Sequence, residues 1–215
     1  MQFHQPVMVR ETLQMLAPRP GGIMIDATVG TGGHSLAILP HLLPSGRLIA
    51  MDRDAEALAI ARQRLAEFAP HVTYVHSNFS EMGRVLNDLH LRHVDGLIAD
   101  LGMSSVQVDE GARGLSFSRP GPLDMRMDRS QEITAAMLLE SASEEDLATM
   151  FVTFGEERFA RRIARQIVQT RRRQPVQTTT QLAELIWQAV PSGARHGRLH
   201  PATRVFQALR MAVND

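Results

Sequence analysis

The sequence predicts an α/β fold: an open parallel sheet followed by a helical region. Three observations carry this expectation. Four short apolar runs in the first hundred residues alternate with helical patterns, as strands joined by crossover helices do. A glycine-rich turn follows the first run. From Ser141 onward the apolar periodicity is helical, with no further strand pattern.

Taken in order, Ile23-Met24-Ile25-Asp26-Ala27 reads as a buried first strand running into Thr28-Val29-Gly30-Thr31-Gly32-Gly33-His34, with a helix from about Ser35 to Leu43. Arg47–Asp52 is the second strand. Asp54 then caps a helix through Ala55, Leu58, Ala61, Leu65 and Phe68. Val72–His76 is the third strand, followed by Asn78-Phe79-Ser80 and a helix to about Leu89. Val94–Leu101 is the fourth. Residues 103–130 are rich in Gly, Pro, Ser and charge without a period, and read as a long functional loop. Beyond it, Ser143-Glu144-Glu145-Asp146 opens a helix with acids in its first turn. Phe159, Ile163 and Ile167 form an apolar stripe on the next, flanked by Arg158, Arg161, Arg162 and Arg165. Thr178 to Gln181 starts a helix through Leu182, Leu185 and Ile186, and a last one begins near Pro201 and contains Phe206, Leu209 and Met211.

Composition narrows the possibilities. The 215 residues suffice for one large domain or a domain with an insertion. No stretch approaches the roughly 20 apolar residues of a membrane span, and Met1 to Pro6 lacks the features of a signal peptide. There are no cysteines, so disulfides and thiolate metal sites are out and a cytoplasmic location is expected. All 23 basic residues are arginine, as a GC-rich genome would favour. The formal charge of zero hides a segregation: 8 Arg against 10 acids in residues 1–100, 4 against 9 in 101–153, and 11 against 4 in 154–215. Codon bias does not move charge to one end. That local excess suits a phosphate-bearing partner.

The chemistry lies at the strand ends. Glycines after a first strand let backbone approach a ligand, and the next helix offers free N–H groups. A dinucleotide fingerprint would need a third glycine where Ser35 stands. Asp52 ends the second strand 20 residues after Gly32, where a carboxylate can accept both ribose hydroxyls of an adenosine. Phe79 suits either an adenine ring or the core. Asp100 closes the fourth strand. In an open α/β sheet, Asp26, Asp52, Phe79 and Asp100 would converge at one edge. His196 and His200 are four apart, but Gly197 intervenes and no acid follows His196, so no metal site is expected.

These residues resemble the bacterial small-subunit ribosomal RNA cytosine-N4 methyltransferases over nearly the whole chain. The likeness rests on His4-Gln5-Pro6-Val7, Asp26-Ala27-Thr28, Gly32-Gly33-His34-Ser35, Asp52-Arg53-Asp54 and Asp100-Leu101-Gly102-Met103-Ser104-Ser105. It continues through Gln107, Arg113-Gly114, Gly121 to Asp128, and Phe154 to Ala160, where Phe154 replaces a tyrosine. It ends in His200-Pro201-Ala202-Thr203-Arg204 and Phe206 to Arg210. The resemblance implies a Rossmann-like class I methyltransferase sheet, of which strands one to four are present, with an inserted helical domain. The implied division is a cofactor-binding part over residues 1–102, an RNA-recognition insertion over 103–200 and a return helix over 201–215. It implies S-adenosyl-L-methionine held by Gly32, Gly33, His34, Asp52, Phe79, Asp100 and Gln107. Small-subunit ribosomal RNA, free or in the assembled subunit, is the implied partner, and a homodimer is a further expectation.

The acceptor would be a cytosine amine whose lone pair is conjugated with the ring. A site must hydrogen-bond its hydrogens so that nitrogen becomes tetrahedral as it attacks the methyl. In other amino methyltransferases an acid followed by prolines does this. Here Leu-Gly-Met-Ser-Ser follows Asp100, which leaves it two roles: contacting the cofactor's amino group, or accepting from the target amine. Ser104, Ser105 and Asp124 are further candidates, although Gly121 to Arg126 reads equally as a turn with an internal Asp–Arg pair. Arg126, Arg158, Arg162, Arg165, Arg171, Arg172, Arg173 and Arg204 are candidate RNA contacts, against solvated helix ends as the plain alternative for Arg171 to Arg173. The family continues past this point with further strands, so the sequence reads as part of a longer protein. A nicotinamide oxidoreductase and a non-catalytic RNA-binding protein are the rival readings.

Overall fold

A computed structural model describes residues 6–103 and 110–214. The chain divides into two units, residues 1–104 and 105–215. Ser104, Ser105 and Gln107 lie outside the described residues.

The first unit is a four-stranded parallel sheet. Its elements run α1 (Val9–Leu16), β1 (Ile23–Asp26), α2 (Gly33–Leu42), β2 (Arg47–Asp52), α3 (Ala55–Arg64), β3 (Val72–His76), α4 (Met82–Asp88) and β4 (Gly96–Ile98). Strand order is β3-β2-β1-β4, with Asp26 opposite Ala50 on one side and Ile98 on the other. Because β1 is central and the chain goes first one way and then the other, the order reverses between β1 and β4. That is where open α/β sheets place ligands.

Alternation along the strands fills both faces. Met24 and Leu48 pack with Ile38, Leu39, Leu42 and Leu65, while Ile25, Ile49 and Met51 pack with Val85. Strands buried on both faces read as unbroken apolar runs, which is why they are visible in the sequence. Asp54 caps α3 as expected, accepting from the amides of Glu56 and Ala57. The fourth strand is shorter than the eight residues expected. Leu97 and Leu101 are exposed, so the apolar run there outlasts the pairing.

The second unit is helical: α5 (Ala135–Ser141), α6 (Glu144–Thr153), α7 (Ala160–Arg171), α8 (Thr179–Ala189), α9 (Ser192–Arg195) and α10 (Ala202–Asn214). Capping boxes start α6 at Ser143 with Asp146 and α8 at Thr178 with Gln181. The stripe on α7 is Ala160, Ile163, Ala164 and Ile167; Phe159 sits at the N-cap, half-buried, one residue outside the helix. Within 110–130 there is one short 3-10 turn, Gly111–Arg113. The segment is nonetheless folded into this unit's core through Leu115, Leu123 and Met125. Gly114 has φ +63°, and a Cβ there would stand 1.8 Å from the Pro122 carbonyl oxygen, so two backbone stretches cross where only glycine fits.

The last helix buries Val205, Phe206 and Leu209 and packs on α5, α6 and α8. Asn214 ties it to the preceding loop by donating to the Met125 carbonyl and accepting from the Met127 amide, both at 2.7 Å. The apolar face of the helix is buried within the helical unit. Among the described residues, no helix is long and apolar enough to cross a membrane.

Candidate functional site

The turn after β1 is stitched to both neighbouring strands. Ala27 N–H donates to the Ile98 carbonyl at 2.9 Å and Val29 N–H to that of Met51 at 2.8 Å. Thr28 Oγ1 accepts from the Asp100 amide at 2.7 Å. Asp52 receives the amides of Gly30 on Oδ2 at 2.8 Å and Asp54 on Oδ1 at 2.9 Å. Gly32 sits at φ +81°, the left-handed backbone that glycine adopts without strain, and lets α2 begin at Gly33. Ser77 N–H donates to the Asp52 carbonyl at 3.0 Å, which fixes the exit of β3 beside β2. Phe79 follows on a short turn capped by Asn78.

Three carboxylates meet there. Asp26 is 2% exposed and accepts from Ser35 Oγ at 2.7 Å and from the Thr28 amide at 3.3 Å. Burial pushes its carboxyl up to about 6 despite those hydrogen bonds, and the charges of Asp52 and Asp100 push the same way. Asp52 is also raised, chiefly by burial, with its backbone hydrogen bonds opposing. His34 Nε2 lies 3.8 Å from Asp100 Oδ2. Burial lowers the imidazole's pKa while Asp100 draws it back up. His34 Nδ1 is buried without a hydrogen-bond partner among the described residues.

None of the three acids has an arginine partner among the described residues. Such a cluster repels an anionic pyrophosphate and suits a ligand carrying positive charge and hydroxyl donors. That is the charge pattern of adenosylmethionine and not of a dinucleotide. Gly32, Gly33, His34, Asp52 and Asp100 are therefore brought to one edge. Phe79 stands 43% exposed there, so it is not a core aromatic. Thr28 and Ser35, which hold Asp100 and Asp26, were missed by sequence reasoning. The hydroxyls were legible, but their partners are tertiary.

The candidates in the helical unit separate into two kinds. Asp124 is clamped by Arg126 through Nε and Nη2 at 2.7 and 2.8 Å, the internal pair that the turn reading anticipated. Burial alone would raise its carboxyl, but the hydrogen bonds and charge of Arg126 hold it below the ordinary range. Arg126 also donates to the carbonyls of Arg129 and Gln131. Arg171 donates to the carbonyls of Leu139 and Ala142, closing the end of α5. Arg158, Arg162, Arg165, Arg172, Arg173 and Arg204 are exposed. His200 Nδ1 accepts from the Ala202 amide at 3.1 Å, so the His200-Pro201 pair starts the last helix.

A parallel sheet with order 3-2-1-4, a glycine turn and an acid-lined switch point fits the cofactor-binding unit of an adenosylmethionine-dependent methyltransferase. The chain belongs to the MraW methylase family, whose model matches residues 1–215. It is 50% identical over 216 residues to ribosomal RNA small subunit methyltransferase H of Symbiobacterium thermophilum, covering 100% of this chain and 68% of that protein. The proteins of the same name from Syntrophotalea carbinolica and Brevibacillus brevis are each 50% identical, over 98% and 99% of this chain and 67% and 68% of theirs.

Proposed function

We propose that the chain transfers the methyl of S-adenosylmethionine to the N4 amine of a cytidine in small-subunit ribosomal RNA. The observation that carries the reading is the carboxylate cluster, without an arginine side-chain partner among the described residues, at the switch point of a methylase-family sheet. When bound, the cofactor supplies an electrophilic methyl on a cationic sulfur.

This chain's residues would do the rest. Asp52, whose two oxygens accept from the amides of Gly30 and Asp54, would also accept from the ribose hydroxyls. Gly32 and Gly33 let backbone approach the ligand. His34 Nδ1 would find in the bound ligand the partner it lacks. Phe79 offers a face to the adenine. Asp26, ionised above about pH 6, adds negative charge beside the cation. Asp100, with its side chain 58% exposed, would contact the cofactor's amino group or accept from the amine hydrogens so that the nitrogen lone pair leaves conjugation and attacks in line. Gln107, Ser104 and Ser105 join this reading as proposals only, as does Asp124. The target base must leave its stack to reach such a site, and the exposed arginines of 154–215 suit the phosphates around it.

Mass spectrometry of ribosomal nucleosides from a strain lacking the gene tests the substrate: N4-methylcytidine should vanish and return on complementation. Methylation of assembled subunits but not naked RNA by the purified protein would place the reaction after assembly. Unchanged N4-methylcytidine in the deletion strain would sink the proposal. Titration with adenosylmethionine and with NAD separates the oxidoreductase reading, which tight binding of NAD alone would restore.

A further inference from the structure

Of the three acids at the switch point, Asp100 has the least holding it. Asp26 and Asp52 each accept two hydrogen bonds from described residues. The Asp100 carboxylate accepts none from a described residue, and His34 Nε2, at 3.8 Å, stands beyond hydrogen-bond length. Its backbone is sparsely held too. The pairing of β1 with β4 closes where Asp26 lies opposite Ile98 and the Ala27 amide reaches the Ile98 carbonyl. Beyond it Leu101 is exposed, and a Cβ on Gly102 would meet nothing within 4 Å. Among the described residues, one hydrogen bond reaches Asp100: its amide donates to Thr28 Oγ1 at 2.7 Å.

Thr28 itself is firmly placed. Its amide donates to Asp26 Oδ1 at 3.3 Å. The next two amides reach across to β2, Val29 to the Met51 carbonyl and Gly30 to Asp52 Oδ2, both at 2.8 Å. The same turn leads through Gly32 and Gly33 into α2, and a branched side chain leaves the hydroxyl few rotamers. The plain alternative is that the hydroxyl only caps a loose amide at a strand end. The bond is exposed, however, and water replaces an exposed hydrogen bond at little net cost to stability. Water does not replace its geometry. In-line attack needs acceptor and methyl aligned, and a displacement of about 1 Å can cost roughly 100-fold in rate.

We infer that Thr28 is a positioning residue for methyl transfer: through the Asp100 amide it sets where the Asp100 carboxylate stands relative to the glycine turn. The inference rests on the function proposed above and adds to its site a residue that touches neither cofactor nor base. The bond ends on a backbone amide, which any residue at position 100 keeps. Its structural and positioning effects can therefore be pulled apart.

Thr28→Val keeps the shape and removes the acceptor. It is made in the full wild-type chain and in Asp100→Ala. Tritium transfer from labelled adenosylmethionine to small ribosomal subunits of a strain lacking the gene, under single-turnover conditions, gives the rate. Calorimetry gives adenosylmethionine affinity, and urea titration gives stability. In the wild-type chain, Thr28→Val should lower by roughly 10- to 100-fold whichever of rate and affinity Asp100→Ala lowers. In Asp100→Ala it should change that quantity less than about two-fold, since no carboxylate is left to misplace. The urea midpoint should shift equally in both backgrounds. Thr28→Ser, which keeps the acceptor on a freer side chain, should stay within about three-fold of wild type. Equal fold losses in the two backgrounds would make Thr28 a structural tie and overturn the inference. So would a Thr28→Val as active as wild type, or a Thr28→Ser as impaired as Thr28→Val; the wild-type chain would still methylate, and the proposed function would survive. A wild-type chain that binds no adenosylmethionine and methylates no subunits would overturn both.

Discussion

At the carboxyl ends of β1, β2 and β4 the sheet unit gathers Asp26, Asp52 and Asp100 with no arginine partner among the described residues, whereas residues 154–215 spread eleven arginines against four acids. In the first region, charge is concentrated, from the buried Asp26 to the exposed Asp100, and is met by hydrogen-bond donors and not by a described arginine. In the second it is mostly exposed, dispersed and wet. An uncompensated buried cluster costs stability and is relieved by a cationic ligand. A dispersed exposed excess costs little and acts through counterion release on a polyanion. The two regions thus suit ligands of opposite charge, and the variants test whether the two fits are separable.

The largest effect is expected at Asp52. Asp52→Ala removes the acceptor proposed for two ribose hydroxyls and also orphans the amides of Gly30 and Asp54. Hydrogen bonds to a charged group contribute about 1.5–3 kcal/mol each, so adenosylmethionine affinity should fall by more than about 100-fold by calorimetry. RNA affinity at matched salt should hold. A comparable loss for RNA would mean that the regions are coupled, and would break the comparison.

Next comes Asp26. Its folded-state pKa of about 6 lies above 3.8, so folding favours the protonated carboxyl. The stability this group contributes is full below pH 3.8 and is lost as pH rises through about 6. Asp26→Asn, whose Oδ1 can accept from the Thr28 amide while its Nδ2 donates to Ser35 Oγ, should therefore stabilise the apo protein at pH 7.5 by up to about 3 kcal/mol and change it little at pH 3.5. Urea titrations at the two pH values measure this. An equal effect at both would show that the acid is not strained by burial.

How much of this contrast was legible depends on whether a feature is periodic or tertiary. Strands β1 and β2 could be read because both faces are buried, and the strand order placed Asp26, Asp52 and Asp100 at one edge. The short helices α1 and α5 escaped, with eight and seven residues carrying too few turns to establish a period. Residues 110–130 looked like loop because Leu115, Leu123 and Met125 are buried one at a time through turns, Met125 itself at φ +64°. The charge excess of 154–215 was countable, but which arginines are committed was not. Arg171 and Arg172 are neighbours in sequence, and only coordinates reveal that Arg171 reaches the end of another helix.

That distinction gives the third prediction. Arg171→Ala leaves the carbonyls of Leu139 and Ala142 without their donor, in a half-buried setting. A loss of about 1–3 kcal/mol in chemical unfolding is expected, with RNA affinity changed less than about two-fold once the variant is folded. A large RNA defect at unchanged stability would return Arg171 to the RNA-contacting set.

Arg165 should behave in the opposite way and by the smallest amount. It lies on the same helix, and its only recorded partner among the described residues is Glu144, at 3.2 Å with both side chains well exposed. Exposed pairs contribute about 0–1 kcal/mol because water screens them and two long side chains must be ordered. Arg165→Ala should therefore shift the unfolding free energy by less than about 0.5 kcal/mol. It should also lower RNA affinity two- to three-fold at low salt, an effect that fades as salt rises through the range where the Debye length falls to about 8 Å. The pair Arg165→Ala and Arg171→Ala is thus a double dissociation on one helix, read by urea titration and RNA titration on the same samples. If Arg165→Ala costs more stability than Arg171→Ala, exposure does not sort these arginines, and the division between structural and RNA-facing charge in the helical unit fails.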